Sequence, residues 1–386
     1  MRCTPTCFRA LFQHLDLKSR CSCIRLQRRS SSSSAISTQT DATRVNVKVG
    51  LESSVPLSIH HAPRPTSQTP VIIYLIGPRP VEPSTFPSLS ALALASNATV
   101  VGIHYRLSTK QSYPTPVHDV LAGFDWVQKH LARVAVQIDR AEHSVETANV
   151  GVCGELVSGS LATMLALTEC RPTNGGVKAA AVGNAIVDWT SLFPAGDNGI
   201  PPAVSYREAT PERSPNQCGP SLSHDSLLRL RSRLFTRPEK YFDPFASPLL
   251  FFRTPGCDLT SPVDDIHARQ AFDGPSADDS TTAHDASSAE IQKRRSPRKY
   301  PPRGSELRLP YMRFDVGIES SVREQGEDMV EVLSKSAKHW EDDLSGGLDR
   351  EAVSKRIQLV ERNGLGLWGD DELRELGTWF GDVLRK

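Results

Sequence analysis

Four short apolar runs, separated by three stretches that read as helices, constrain this chain more than any other feature. Val71-Ile-Ile-Tyr-Leu75, Thr99-Val-Val-Gly-Ile103, Asn149-Val-Gly-Val-Cys153 and Ala179 to Ile186 are apolar nearly throughout. That is the pattern of strands covered on both faces. Between them lie Pro87 to Ser96, Val117 to Leu131 and Ser158 to Thr168. In the second of these, Val117, Leu121, Phe124, Val127 and Leu131 recur at the spacing of one helix face. Strands alternating with helices predict the α/β class: a mostly parallel central sheet flanked by helices and joined by right-handed crossovers. Upstream, Val45 to Ile59 reads as one or two strands, with period-two alternation over Val45-Asn-Val-Lys-Val49, and Pro63 to Pro70 as a turn. Downstream, Leu309 to Val316 reads as a strand, Arg323 to His339 as a helix and Asp371 to Leu384 as a terminal amphipathic helix.

The domain expected from these elements spans residues 45–386, with 190–245 as a cap-like region of proline, polar and helical fragments. Of the 386 residues, 38% are hydrophobic, enough for one core of roughly 250–300 residues plus tails and insertions. Residues 260–305 are an expected disordered insertion. Asp264 to Ala289 is rich in Asp, Ser, Thr and Ala, too little apolar surface to offset the entropy of ordering. The basic cluster Lys293-Arg-Arg-Ser-Pro-Arg-Lys299 that follows reads as a solvated charge run, with partner binding as the other reading. Residues 1–44 form a transit peptide or a disordered tail. Arg2, Arg9, Lys18, Arg20, Arg25, Arg28 and Arg29 face a single acid, Asp16, before the serine run Ser30 to Ser34. An Arg-rich, Ser-rich, acid-poor leader has the composition of an organelle transit peptide. The expected location is therefore mitochondrial, with the cytoplasm as the alternative.

A net charge of +1 gives no global field for nucleic acid or an anionic membrane. No apolar run approaches the ~20 residues of a transmembrane helix. The eight cysteines read as reduced thiols: Cys21 and Cys23 stand too close for a zinc pair, and no second pair matches them. Asp264, Asp265 and His267 form no metal pattern, so neither a metal nor a cofactor is expected.

The run Tyr105-Arg-Leu107, Tyr113-Pro-Thr-Pro116 and His118-Asp-Val-Leu-Ala-Gly-Phe-Asp-Trp126 resembles that of the hormone-sensitive-lipase-like esterases, the alpha/beta hydrolase fold-3 family. Asn149-Val-Gly-Val-Cys-Gly154 with Leu161-Ala162 is similar to the family's strand, elbow and helix. Asp243-Pro-Phe-Ala-Ser-Pro248 resembles the segment after the cap, and Gly317 to Gly326 the stretch after the strand that carries the family's acid. The resemblance covers most of residues 45–386 outside the insertion. It implies an α/β-hydrolase fold and a serine triad on a sharp strand-to-helix turn.

At the implied positions the chemistry is missing. The elbow reads Gly154-Glu-Leu-Val-Ser-Gly159, which puts Leu156 where the family holds its serine. Leucine has no lone pair and no transferable proton, so no acyl-enzyme forms there. Ser158 and Glu319 are weak substitutes: Ser158 falls inside the first helical turn, and Glu319, beside Ser320, stands near the acid position. The oxyanion-like positions are Gly77, Pro78 and Val157, and Pro78 has no N–H to donate. The family's histidine would fall in Asn363-Gly-Leu-Gly-Leu-Trp-Gly369, and no histidine follows His339. Cys153, Glu155, His104 and His118 read as scaffold or surface residues. The sequence therefore points to a pseudohydrolase whose role is to bind a small apolar ligand or a protein partner. The alternative is a carboxylic-ester hydrolase with an unrecognised nucleophile.

Overall fold

The computed structural model describes residues 42–50, 53–66, 68–77, 88–108, 110–139, 142–172, 175–192, 223–255, 298–302, 304–345 and 350–385. Residues 1–41 of the expected leader, Pro78, part of the cap-like region and most of the insertion lie outside these residues; Thr43 and Arg44, assigned to the leader from sequence, belong to the first strand of the sheet.

The described residues begin with an antiparallel pair, β1 (Thr43–Val49) and β2 (Ser53–His60). Then come β3 (Val71–Ile76), α1 (Leu89–Ser96), β4 (Thr99–His104) and α2 (Thr115–Val127). After a hairpin of β5 (Arg133–Asp139) and β6 (Glu142–Thr147) follow β7 (Val150–Glu155), α3 (Val157–Thr168) and β8 (Val177–Gly183). Helix α4 (His224–Leu234) precedes β9 (Tyr311–Gly317), α5 (Arg323–Ser345), α6 (Arg350–Arg356), β10 (Ile357–Arg362) and α7 (Asp370–Leu384).

Eight strands form one sheet in the order β1-β2-β4-β3-β7-β8-β9-β10. β2 meets β4 antiparallel; from β4 to β10 every pairing is parallel. The apolar central strands are buried on both faces, as their runs require. Ile73 and Val152 point into a core built with α2, α3 and α5, while Ile72, Tyr74 and Cys153 point into a second core built with α1 and α7. This is the α/β architecture expected.

The motif Tyr105 to Trp126 is a structural clamp. The Asp119 carboxylate, fully buried, accepts from Arg106 N–H at 2.8 Å, Nε at 2.9 Å and Nη2 at 2.6 Å. Tyr113 Oη donates to Asp243 Oδ2 at 2.8 Å, so the proline turn docks on the segment after the cap.

Several boundaries differ from expectation. The helix expected to reach Leu131 ends at Val127 and runs into a π-type turn, Gln128–Ala132. The β5–β6 hairpin and strand β10 were not legible. β10 is an edge strand whose residues alternate between covered and open, so it lacks a continuous apolar run. The far end of the expected disordered insertion is packed: Tyr300 is buried and its Oη donates to Leu167 O at 2.8 Å.

Candidate active site

The turn from β7 into α3 is tight because two positions carry no side chain. A Cβ on Gly154 would lie 2.8 Å from the backbone and Cβ of Ser158, and one on Gly159 would lie 2.9 Å from Ala185 Cβ. Glycine is required at both if helix and strand are to approach this closely. At the tip stands Leu156, with φ 56° and ψ −117°. A leucine with positive φ is rare and strained. The turn is held by its backbone: Leu156 N–H donates to Gly183 O at 2.9 Å, and Leu156 O accepts from Ser160 N–H at 3.0 Å and Ile186 N–H at 3.3 Å. The Leu156 side chain is 3% exposed and belongs to the main core.

Ser158 sits two residues on, buried in the first turn of α3. Its Oγ lies 2.9 Å from Tyr105 Oη. Burial pushes the pKa of Tyr105 well above the ordinary phenol range, so the phenol stays protonated and is not a general base. Among the described residues no histidine bonds to Ser158. Gly77 fits against this hydroxyl pair, since a Cβ there would lie 1.8 Å from Tyr105 Oη and 2.7 Å from Ser158 Oγ. Val157 follows the elbow as the first residue of α3 and is buried. Pro78 falls outside the described residues.

The expected acid and base segments meet next to this turn without forming a relay. Glu319 is exposed and engages the neighbouring loop through its backbone, N–H to Gly364 O at 3.0 Å. Ser320 is buried, and its Oγ accepts from Val322 N–H at 3.4 Å. The loop from Asn363 to Gly369 is pinned from three sides. Asn184 Nδ2 donates to Leu365 O at 2.8 Å and Gly366 O at 3.2 Å, while Asn184 Oδ1 accepts from Gly317 N–H at 3.0 Å. Trp368 N–H donates to Glu155 Oε1 at 2.7 Å, and its indole N–H to Asp315 Oδ2 at 3.2 Å. Glu155 is therefore a structural acceptor, in line with its reading as scaffold.

Asp315 was missed from sequence. It is fully buried and neutralised by Arg313 Nε at 2.8 Å and Arg362 Nη2 at 2.9 Å. Arg313 and Asp315 inside an otherwise apolar strand were the available signal. The Cys153 thiol is buried and its pKa is raised well above the ordinary value by that burial, so it is no nucleophile. Beside α3, Val157, Ser160, Leu161, Trp189 and Phe235 line a cavity of about 20 Å³, room for about one water. Among the described residues no group of three or more His, Cys, Asp or Glu is placed to hold a metal.

Comparison with known proteins agrees with this architecture. Residues 83–260, less than half of the chain, match the family model described as alpha/beta hydrolase fold. Tuliposide A-converting enzyme 2, chloroplastic, of Tulipa gesneriana is 27% identical over 146 residues, 36% of this chain and 35% of that enzyme. Tuliposide A-converting enzyme b1, amyloplastic, of the same plant is 28% identical over 146 residues, 36% of each chain. The match thus spans about a third of the length of these relatives. The crystal structure of carboxyl esterase 2 from the mycorrhizal fungus Tuber melanosporum superposes with a TM-score of 0.53 at 16% identity, covering 99% of both chains. With its mostly parallel sheet and a strained strand-to-helix elbow at the C-terminal end of the interior strand β7, the chain has the α/β-hydrolase fold.

Proposed function

We propose that this protein is a non-catalytic member of the alpha/beta hydrolase fold-3 family, a pseudohydrolase that binds a small apolar ligand or a protein partner. The observation that carries this reading is Leu156 at the tip of the elbow, with the backbone of a nucleophile turn and an apolar side chain buried in the core. Two further facts support it. The hydroxyl nearest the turn is bonded to a protonated phenol, and the described part of the loop after β10 offers no imidazole. The names of the relatives, tuliposide A-converting enzymes and a carboxyl esterase, supply the alternative that ester chemistry persists through another nucleophile.

Incubation with short p-nitrophenyl esters and with a fluorophosphonate probe separates the two. The proposal expects neither turnover nor labelling. Labelling abolished by Ser158→Ala would establish the alternative. We further propose that residues 1–44 direct mitochondrial import. A fluorescent reporter carrying them is expected in mitochondria, and a diffuse cytosolic signal would overturn that assignment.

A further inference from the structure

The described strands at the antiparallel edge of the sheet present basic side chains on one face. Among the described residues, 42–50, 53–66, 68–77 and 88–104 contain no Asp or Glu; Asp41, Glu52 and Glu82 fall in the segments outside them. The described stretches do contain Arg44, Lys48, Arg64, His60, His61 and His104. On β1, Arg44, Asn46 and Lys48 alternate with the core valines, so all three lie on one face and are exposed. On β2 and β4 the same face carries Ser58, His60 and His104: Ser58 Oγ is 3.2 Å from His104 Nε2, and His60 Nδ1 is 3.3 Å from Ser90 Oγ on α1. Burial lowers the pKa of His60, and His61 and His104 lower it further; for His104, burial comes first and Arg44 second. These histidines and Arg44 thus feel one another's charge. Among the described residues no carboxylate pairs with Arg44, Lys48 or Arg64. Asp370, the acid bound to this end of α1, accepts from Ser88 N–H at 2.8 Å.

An apolar side chain stands beside this charge. α1 seats its Leu92, Ala95 and Ser96 side on α7, so closely that a Cβ on Gly377 would lie 2.6 Å from Ala95 Cβ. Ser90 and Leu94, one turn apart, share the side turned toward β2. Leu94 is 70% exposed, the most open large apolar side chain among the described residues. Arg64 flanks the other end of α1, its N–H donating to Asn97 Oδ1 at 3.2 Å.

We propose that the face formed by β1, β2 and the Ser90–Leu94 side of α1 docks on an anionic lipid surface. Arg44, Lys48 and Arg64 meet the phosphates, and Leu94 reaches the apolar layer beneath them. Cations around an exposed leucine suit a surface that is charged outside and apolar inside. A nucleic acid or an acidic polypeptide would use the charges and leave Leu94 without a role.

The test is flotation of the full chain with vesicles of phosphatidylcholine alone and with about one-third phosphatidylglycerol, at about 0.1 M salt where surface charges still act. Each Arg or Lys at such a surface is expected to contribute about fivefold to partitioning. The wild type is expected on the anionic vesicles only. Arg44→Glu with Lys48→Glu is expected to weaken binding by about 25-fold or more, and Leu94→Ser by about fivefold with no change of charge. All of these residues are exposed, so unchanged circular dichroism certifies the fold. The basic residues of 1–41 and 293–299 are present in every variant, so undiminished binding by the double variant would overturn the proposal. So would failure of the wild type to bind anionic vesicles. Retention on polyglutamate with no vesicle binding would overturn it too, and would reassign the face to an acidic protein.

Discussion

Leu156 carries two opposed energies. Its positive φ costs about 1–3 kcal/mol, while burial of its side chain returns about 1.5–3 kcal/mol. Leu156→Gly relieves the strain but empties the site, where leucine deletions in cores cost about 3–5 kcal/mol. The expected net loss is about 2 kcal/mol, read as a lower midpoint in urea unfolding. Leu156→Ser is expected to add no measurable turnover of p-nitrophenyl acetate, because the hydroxyl it creates has no base beside it among the described residues. Substantial activity from this one change would reveal a base that the described residues do not contain. At Gly154 the atoms 2.8 Å from a new Cβ are largely backbone and cannot rotate away. Gly154→Ala should therefore cost about 1–3 kcal/mol, in contrast to the roughly neutral effect of alanine at an open site.

The elements are tied together by charges whose burial is unequal, and this sets the direction of mutational effects. In the clamp between β4 and α2, Asp119 is fully buried while the Arg106 side chain is 21% exposed. Arg106→Ala strands a carboxylate without water and should cost about 3–5 kcal/mol. Asp119→Ala leaves a guanidinium that can turn to solvent, so its cost should be smaller. Equal losses in urea unfolding would show that the arginine is held as firmly as the acid. At the other edge, Glu375 on α7 bonds Arg362 Nη1 at 2.7 Å and Arg313 Nη2 at 2.5 Å. The Arg362 hydrogen bond chiefly, then Arg313, holds its pKa below the ordinary 4.5. A depressed acid stabilises the fold above its unfolded value, and that contribution disappears as pH falls through the folded value. Because Glu375 is half exposed, the effect is small. Glu375→Gln should lower stability at pH 7 and make the acid limb below about pH 4.5 shallower, with no change in the neutral plateau's slope.

Over the whole molecule, legibility followed burial. The central strands announce themselves because both faces are covered, which leaves uninterrupted runs such as Val71 to Leu75. β10 and the β5–β6 hairpin do not, since their residues alternate or carry charge. Part of the site was legible for a similar reason. Gly154 and Gly159 mark a close approach that only a tight turn requires, and Leu156 lies between them. Tyr105 opposite Ser158, and Asn184 and Asp315 gathering the loops after β8, β9 and β10, arise from contacts across more than fifty residues of chain, which no local pattern encodes. One consequence concerns the history such a chain can have. The elbow's shape is written in its neighbours, through Gly183 O, Ile186 N–H and two absent side chains, and its tip residue is free of that duty. Geometry and reactivity are then inherited as separate characters. In a saturation library at position 156, abundance of folded protein should rank with apolarity among side chains unbranched at Cβ, the positive φ penalising isoleucine, valine and threonine, while positions 154 and 159 tolerate almost nothing. A lineage can therefore drift through many tip residues with its architecture intact.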